Sequence, residues 1–160
     1  MAANVEVAVR RVSSLNPATD AVLREFECAS ESQVQAAVAR ARAAQVDWAE
    51  IGVRKRIAVV REFQRRLLKK KSEIAEAITE EAGKPVAEAL TTEVLVVLDA
   101  ARFLIDNAYH LLGDEPLPHG NLATKLKRGR LVREPHGVVG IISPWNYPFS
   151  IPATETLAAL

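Results

Sequence analysis

Residues 134–150 read EPHGVVGIISPWNYPFS, and the fold turns on how that stretch is read. Gly137–Ile142 is short and wholly apolar, the pattern of a strand buried on both faces of a parallel sheet. Pro144 ends the run and Pro148 follows it, with Trp145, Asn146 and Tyr147 between the two prolines. Ligands of open α/β sheets sit outside the carboxyl ends of the strands. An indole and a side-chain amide at that position fit a ligand-facing mouth. On spacing alone, an asparagine that merely caps a turn is the more ordinary reading, and Trp145 reads equally as core. Pro152 then opens a further helix.

Working upstream, TKLKRGRLVRE (124–134) alternates Leu and Val with Lys and Arg, which is how an edge or bridging strand looks. The segment 114–123, DEPLPHGNLA, reads as a connection. Before it, Pro85 suits the first turn of a long helix, where its missing N–H costs nothing. Leu90, Val94, Val97, Ala101, Leu104, Ile105 and Ala108 form that helix's apolar stripe, and Gly113 is its expected stop. An earlier helix is predicted from about Val53 to Lys70, with Ile57, Val60, Phe63, Leu67 and Leu68 facing the core. A short helix restarting at Ser72 carries Ile74 and Ile78 and stops at Gly83. Ser30-x-x-Gln33 is a capping box that opens the first helix. Val34, Ala37, Val38, Ala41 and Trp48 share its face, with Trp48 as the anchor in the core. At the start, Asn16-Pro17 is turn chemistry, and a hairpin is predicted between Val5–Val9 and Ala21–Glu27.

An autonomous α/β domain needs more than one buried parallel strand, and this chain offers one. The sequence therefore predicts the N-terminal piece of a larger protein, or a truncated product. At 160 residues, 49% hydrophobic and 26% charged, it has an ordinary globular composition. Its 21 Lys and Arg nearly balance 20 Asp and Glu, so no strong field favours nucleic acid or an anionic membrane. The basic runs RRLLKKK and KLKRGR read as a solvated helix face and a strand face. No signal-peptide core or membrane-length apolar run is present, and the single cysteine, Cys28, fits a reducing cytoplasm. No metal-ligand spacing occurs; His110, His119 and His136 stand in separate segments and are expected to face solvent.

Three motifs now combine. NPAT (16–19), EEAGKP (80–85) and REPHGVVGIISPWNYP (133–148) resemble the NAD(P)-dependent aldehyde dehydrogenase superfamily, in its order and at its usual separations. The resemblance implies an α/β fold: the helix-rich start of a Rossmann-like cofactor domain plus a bridging strand, incomplete as given. Residues 1–112 would begin the cofactor domain. Residues 113–132 would supply a bridging strand used in oligomerisation. Residues 133–160 would hold the first buried strand of the cofactor sheet, the Pro-Trp-Asn loop and the start of the next helix.

The same resemblance implies residue roles. Asn146 matches the family's oxyanion asparagine, the amide that donates to the negative oxygen formed when a cysteine thiolate attacks an aldehyde. Ile142, Ser143, Pro144 and Trp145 would line the ribose and nicotinamide side of NAD or NADP. Val96, Tyr147, Ser150, Ile151 and Thr154 occupy positions lining the aldehyde tunnel, with ordinary packing as an equal alternative. The nucleophile, the general-base glutamate and most cofactor contacts are expected beyond Leu160, so the isolated chain is expected to be inactive. Cys28, far upstream, reads as a small buried apolar residue. The expected partners are an aldehyde and, for the longer enzyme, further copies of itself. A second reading is a non-catalytic fragment that pairs with a full-length subunit through the strand edge at 124–134.

Overall fold

The computed structural model describes residues 10–118, 120, 121, 123 and 127–160. A hairpin comes first, β1 (Arg11–Leu15) against β2 (Val22–Glu27), followed by helices α1 (Glu31–Glu50) and α2 (Gly52–Ala82). A short helix α3 (Val86–Ala89), a π-helical turn (Leu90–Val94) and α4 (Leu95–Leu111) run on without a break. Two short strands, β3 (Glu115–Leu117) and β4 (Gly129–Leu131), precede the last helix, α5 (Ser150–Ala159).

The core lies where α2, α4 and α5 meet. Val60 and Leu67 of α2 pack with Val94, Val97 and Ala101 and with Leu157 of α5, all buried. A second cluster joins Ala75 and Ile78 at the far end of α2 to Ala89 of α3. The stripe predicted for the long helix is thus present. Its regularity breaks at the π turn, where the Leu95 N–H reaches back five residues to the Leu90 carbonyl. Thr91 and Thr92 turn their hydroxyls onto the carbonyls of Ala87 and Glu88 beside that widened turn.

Several expectations need correction. The predicted partner strand Val5–Val9 lies outside the described residues, and Arg11–Leu15 is what pairs with β2, around the Asn16-Pro17 turn. The two helices expected over 53–70 and 72–83 are one, because no proline or glycine interrupts Lys69–Ser72 and exposed lysines cost a helix little. Leu68 of its predicted stripe is 54% exposed. The capping box of α1 is present, with the Ser30 hydroxyl accepting the Gln33 N–H and the Gln33 side chain accepting the Ser30 N–H. Yet α1 buries none of its residues, so Trp48 does not anchor it in the core. Trp48 is half-buried, and its indole N–H donates to the Leu160 carbonyl at 2.9 Å.

The connection 114–123 contains β3, which pairs antiparallel with β4, Glu115 opposite Leu131. Arg133 fastens this ribbon to the end of α4 by donating to the Gly113 carbonyl at 2.7 Å and to the Glu115 carboxylate. The largest departure concerns Gly137–Ile142, which forms no strand: Val139 is 51% exposed and Ile142 99%. A parallel strand exists only by pairing, and among the described residues no strand lies beside it. Helix α5 starts at Ser150, two residues before the predicted proline.

Gly83 ends α2 in the left-handed region, φ 71°, with its N–H on the Thr79 carbonyl. A Cβ there would meet the Pro17 ring at 3.0 Å. The Asn-Pro turn and the Gly-Lys-Pro turn are therefore in direct contact. Ser14 adds a 3.4 Å hydrogen bond to Glu81.

Candidate functional site

The residues picked from sequence gather on the turn between Ile142 and Ser150. Pro144 and Asn146 are exposed, and Trp145 is 87% exposed. Trp145 is thus not a core filler here. Ser143 is half-buried, with its hydroxyl 3.4 Å from Glu155. Among the described residues no side-chain hydrogen bond engages Asn146.

The predicted tunnel residues divide. Tyr147 packs its ring against the Lys84 ammonium, 3.8 Å from the ring centroid, a cation–π contact. Ser150 is buried, and its carbonyl accepts the Thr154 hydroxyl at 2.7 Å. Thr154 also reaches the Ile151 carbonyl, so its hydroxyl is engaged within α5. Ile151 and Thr154 are half-buried. Val96 sits apart on α4, 43% exposed between the buried Val94 and Val97. Cys28 is half-buried, and His110 and His136 are exposed; His119 lies outside the described residues. No cluster able to hold a metal occurs among the described residues.

Sequence reasoning missed Glu93. It lies in the π turn with no exposed surface at all. Oε1 takes the Lys84 ammonium at 2.6 Å. Oε2 accepts the N–H of Phe149 at 3.1 Å and of Ser150 at 2.7 Å. Those are the first donors of α5, left unsatisfied at every helix start. A carboxylate also suits the positive end of a helix dipole. Glu93 therefore caps a helix that begins 57 residues later. Burial pushes its carboxyl pKa up, but the Lys84 ammonium and the two N–H donors hold it below the ordinary value. Hydrogen bonds to charged groups contribute ~1.5–3 kcal/mol each, while desolvating each ion costs several kcal/mol. The gain in net stability is small; what the arrangement supplies is one defined geometry. A signal did exist: by helical period Glu93 falls on the stripe, between Leu90 and Val97.

An exposed indole, isoleucine and proline thus stand beside the Asn146 side chain, on a turn whose C-terminal end is bonded to the buried Glu93 carboxylate. Comparison with known proteins places the chain in a family. The model of the aldehyde dehydrogenase family matches residues 5–160. The chain is 36% identical over 149 residues to N-succinylglutamate 5-semialdehyde dehydrogenase of Chromobacterium violaceum, covering 93% of this chain and 29% of that protein. The NADP-dependent glyceraldehyde-3-phosphate dehydrogenase of Bacillus halodurans, solved with NADP, superposes with TM-score 0.82 at 29% identity, over 94% of this chain and 32% of its own. An NAD-dependent benzaldehyde dehydrogenase of Corynebacterium glutamicum gives TM-score 0.80 at 27% identity, over 94% and 33%. The chain thus spans about a third of the length of these relatives. With motif, fold and family model in agreement over nearly its whole length, it belongs to the aldehyde dehydrogenase family.

Proposed function

We propose that these 160 residues form part of an oxidoreductase that converts an aldehyde to a carboxylic acid with NAD+ or NADP+. The observation that carries this reading is the exposed Asn146 amide, without a side-chain hydrogen bond among the described residues, beside Trp145 on a turn bonded to the buried Glu93. In this reading a cysteine outside residues 1–160 attacks the aldehyde carbon, and the carbonyl oxygen takes negative charge. Asn146 donates to that oxygen. A neutral amide suits the task because it carries no proton that can be lost at working pH.

Ile142, Ser143, Pro144 and Trp145 provide the cofactor wall. The exposure of Ile142, Pro144 and Trp145 fits a flat partner: the indole and isoleucine present apolar surface to a ring and ribose, and the proline keeps the wall rigid. NAD(P)+, when bound, accepts the hydride. Tyr147, Ser150, Ile151 and Thr154 line the approach to the aldehyde, with Val96 at its edge, and none carries a charge. That favours a non-anionic aldehyde on this side. The β3–β4 ribbon is the bridging element through which copies of the longer enzyme associate, in the cytoplasm.

The test is a chimaera in which residues 1–160 replace the matching N-terminal part of the Chromobacterium violaceum enzyme. NAD(P)H formation from an aldehyde is expected from the chimaera, and none from the 160-residue chain. A folded chimaera that binds NAD(P)+ but turns over no aldehyde would contradict the proposal. Turnover by the isolated chain would contradict the assignment of the nucleophile to another segment. The alternative is an inactive fragment that joins a full-length subunit by strand addition at β4, an edge built from Gly129–Leu131. Co-elution with such a subunit on size exclusion distinguishes it.

A further inference from the structure

We infer that Glu93 is a positioning residue for Asn146, and that the π-helical turn serves to aim it. The inference rests on the reading of Asn146 as an oxyanion donor, and it concerns what fixes that donor in space. Within the turn 144–149, Pro144, Trp145 and Asn146 are exposed, and packing is confined to its end, where Phe149 lies against both core clusters before the buried Ser150. Besides the packing of Phe149, two polar holds tie it to the rest of the molecule. At its C-terminal end the N–H groups of Phe149 and Ser150 both land on Glu93 Oε2. In its middle the Tyr147 ring, next to Asn146, covers the Lys84 ammonium. The two holds are one device, because Lys84 is bonded to the other oxygen of the same carboxylate at 2.6 Å.

Lys84 comes from the turn after α2, Glu93 from the helix packed on α2, and Asn146 from the loop they share. One carboxylate thus ties three separate segments. A π turn inserts one extra residue into a helix and is found frequently at functional sites. Here the inserted turn holds Glu93 itself, and Thr91 and Thr92 satisfy the carbonyls beside it. In that turn Glu93 and Val94 are both buried, Val94 in the apolar core and Glu93 against the start of α5. An oxyanion donor placed even an ångström off loses most of its effect, so a rigid hold on an exposed turn has a direct use.

The test is nuclear magnetic resonance on the 160-residue chain. A through-hydrogen-bond coupling between the Ser150 amide nitrogen and the Glu93 carboxyl carbon is expected, with an ordered Asn146 side-chain amide. In Glu93→Gln, which keeps size but removes the charge, the Phe149 and Ser150 amides should exchange about tenfold faster. The Asn146 side-chain amide should become mobile, while amides of the α2–α4 core stay protected. Asn146 order unchanged in Glu93→Gln overturns the inference. Should that variant unfold, the coupling in the unsubstituted chain decides, and its absence overturns the inference. None of this needs turnover. Failure of the oxyanion reading would show separately, as a chimaera whose rate ignores Asn146→Ala while Glu93 still controls the order of the turn.

Discussion

The carboxylate of Glu93 accepts the backbone N–H of Ser150 at 2.7 Å across 57 residues of sequence. That bond links the helix layer to the turn that carries Asn146. The remaining consequences of the structure follow from what lies around it.

Lys84 is 14% exposed and Glu93 fully buried, so removing one partner strands the other. Glu93→Leu leaves the ammonium without its counter-ion and should cost ~3 kcal/mol or more. Lys84→Met should cost less, because two N–H donors still hold the carboxylate. The double variant should recover much of the loss of Glu93→Leu, since two apolar side chains replace a buried pair at little cost. Urea midpoints of the four chains measure the cycle.

Acid should act through the same group. The folded pKa of Glu93 lies below its ordinary value of 4.5, so its contribution is fully present above that pH. It is lost as pH falls from there through the folded value, where the native state too takes up the proton. Glu93→Gln should flatten the acid limb of stability against pH. Glu62 offers a control: bonds from Arg65 and Arg66 lower its pKa to about 2 at the surface. Its titration should move up in high salt, while that of Glu93 should barely move.

The two faces of the helix layer should respond differently. Leu67 is 3% exposed between α2 and α4, and Leu67→Ala should cost ~2–5 kcal/mol. Val38 on α1 is 43% exposed, and Val38→Ser should stay within about 0.5 kcal/mol. Equilibrium unfolding by circular dichroism compares the two.

Gly83 couples two of the motifs. With φ 71° and the Pro17 ring 3.0 Å from the place of a Cβ, Gly83→Ala meets both backbone strain and a clash. A loss of roughly 1–3 kcal/mol is expected, and Pro17→Ala should relieve the steric part only. Thermal midpoints of the single and double variants separate the two causes.

Local signals were the legible ones. The Ser30–Gln33 box, the stop at Gly83 and the stripe through Val94, Val97 and Ala101 each depend on residues a few positions apart. Tertiary cover was not legible. Helix α1 has the periodicity of a buried face, but periodicity does not say what lies against it, and Val34, Val38 and Val46 stay exposed. Gly137–Ile142 has the composition of a central strand, yet a strand is made by its neighbours. Within the site, the motif picked out the turn bearing Trp145 and Asn146, because bracketing prolines and an apolar run are contiguous. Glu93 escaped because its partners lie 9 residues before it and 57 after it, and a lone glutamate in a helix ordinarily faces water.

The most direct test of the account is the rate of Asn146→Ala in the chimaera with the Chromobacterium violaceum enzyme, measured at saturating aldehyde and NAD(P)+. Loss of one oxyanion donor should lower kcat by ~10²–10³, with the fold and the cofactor affinity unchanged. A kcat within a few-fold of the parent would contradict the assignment of the amide to the developing oxyanion.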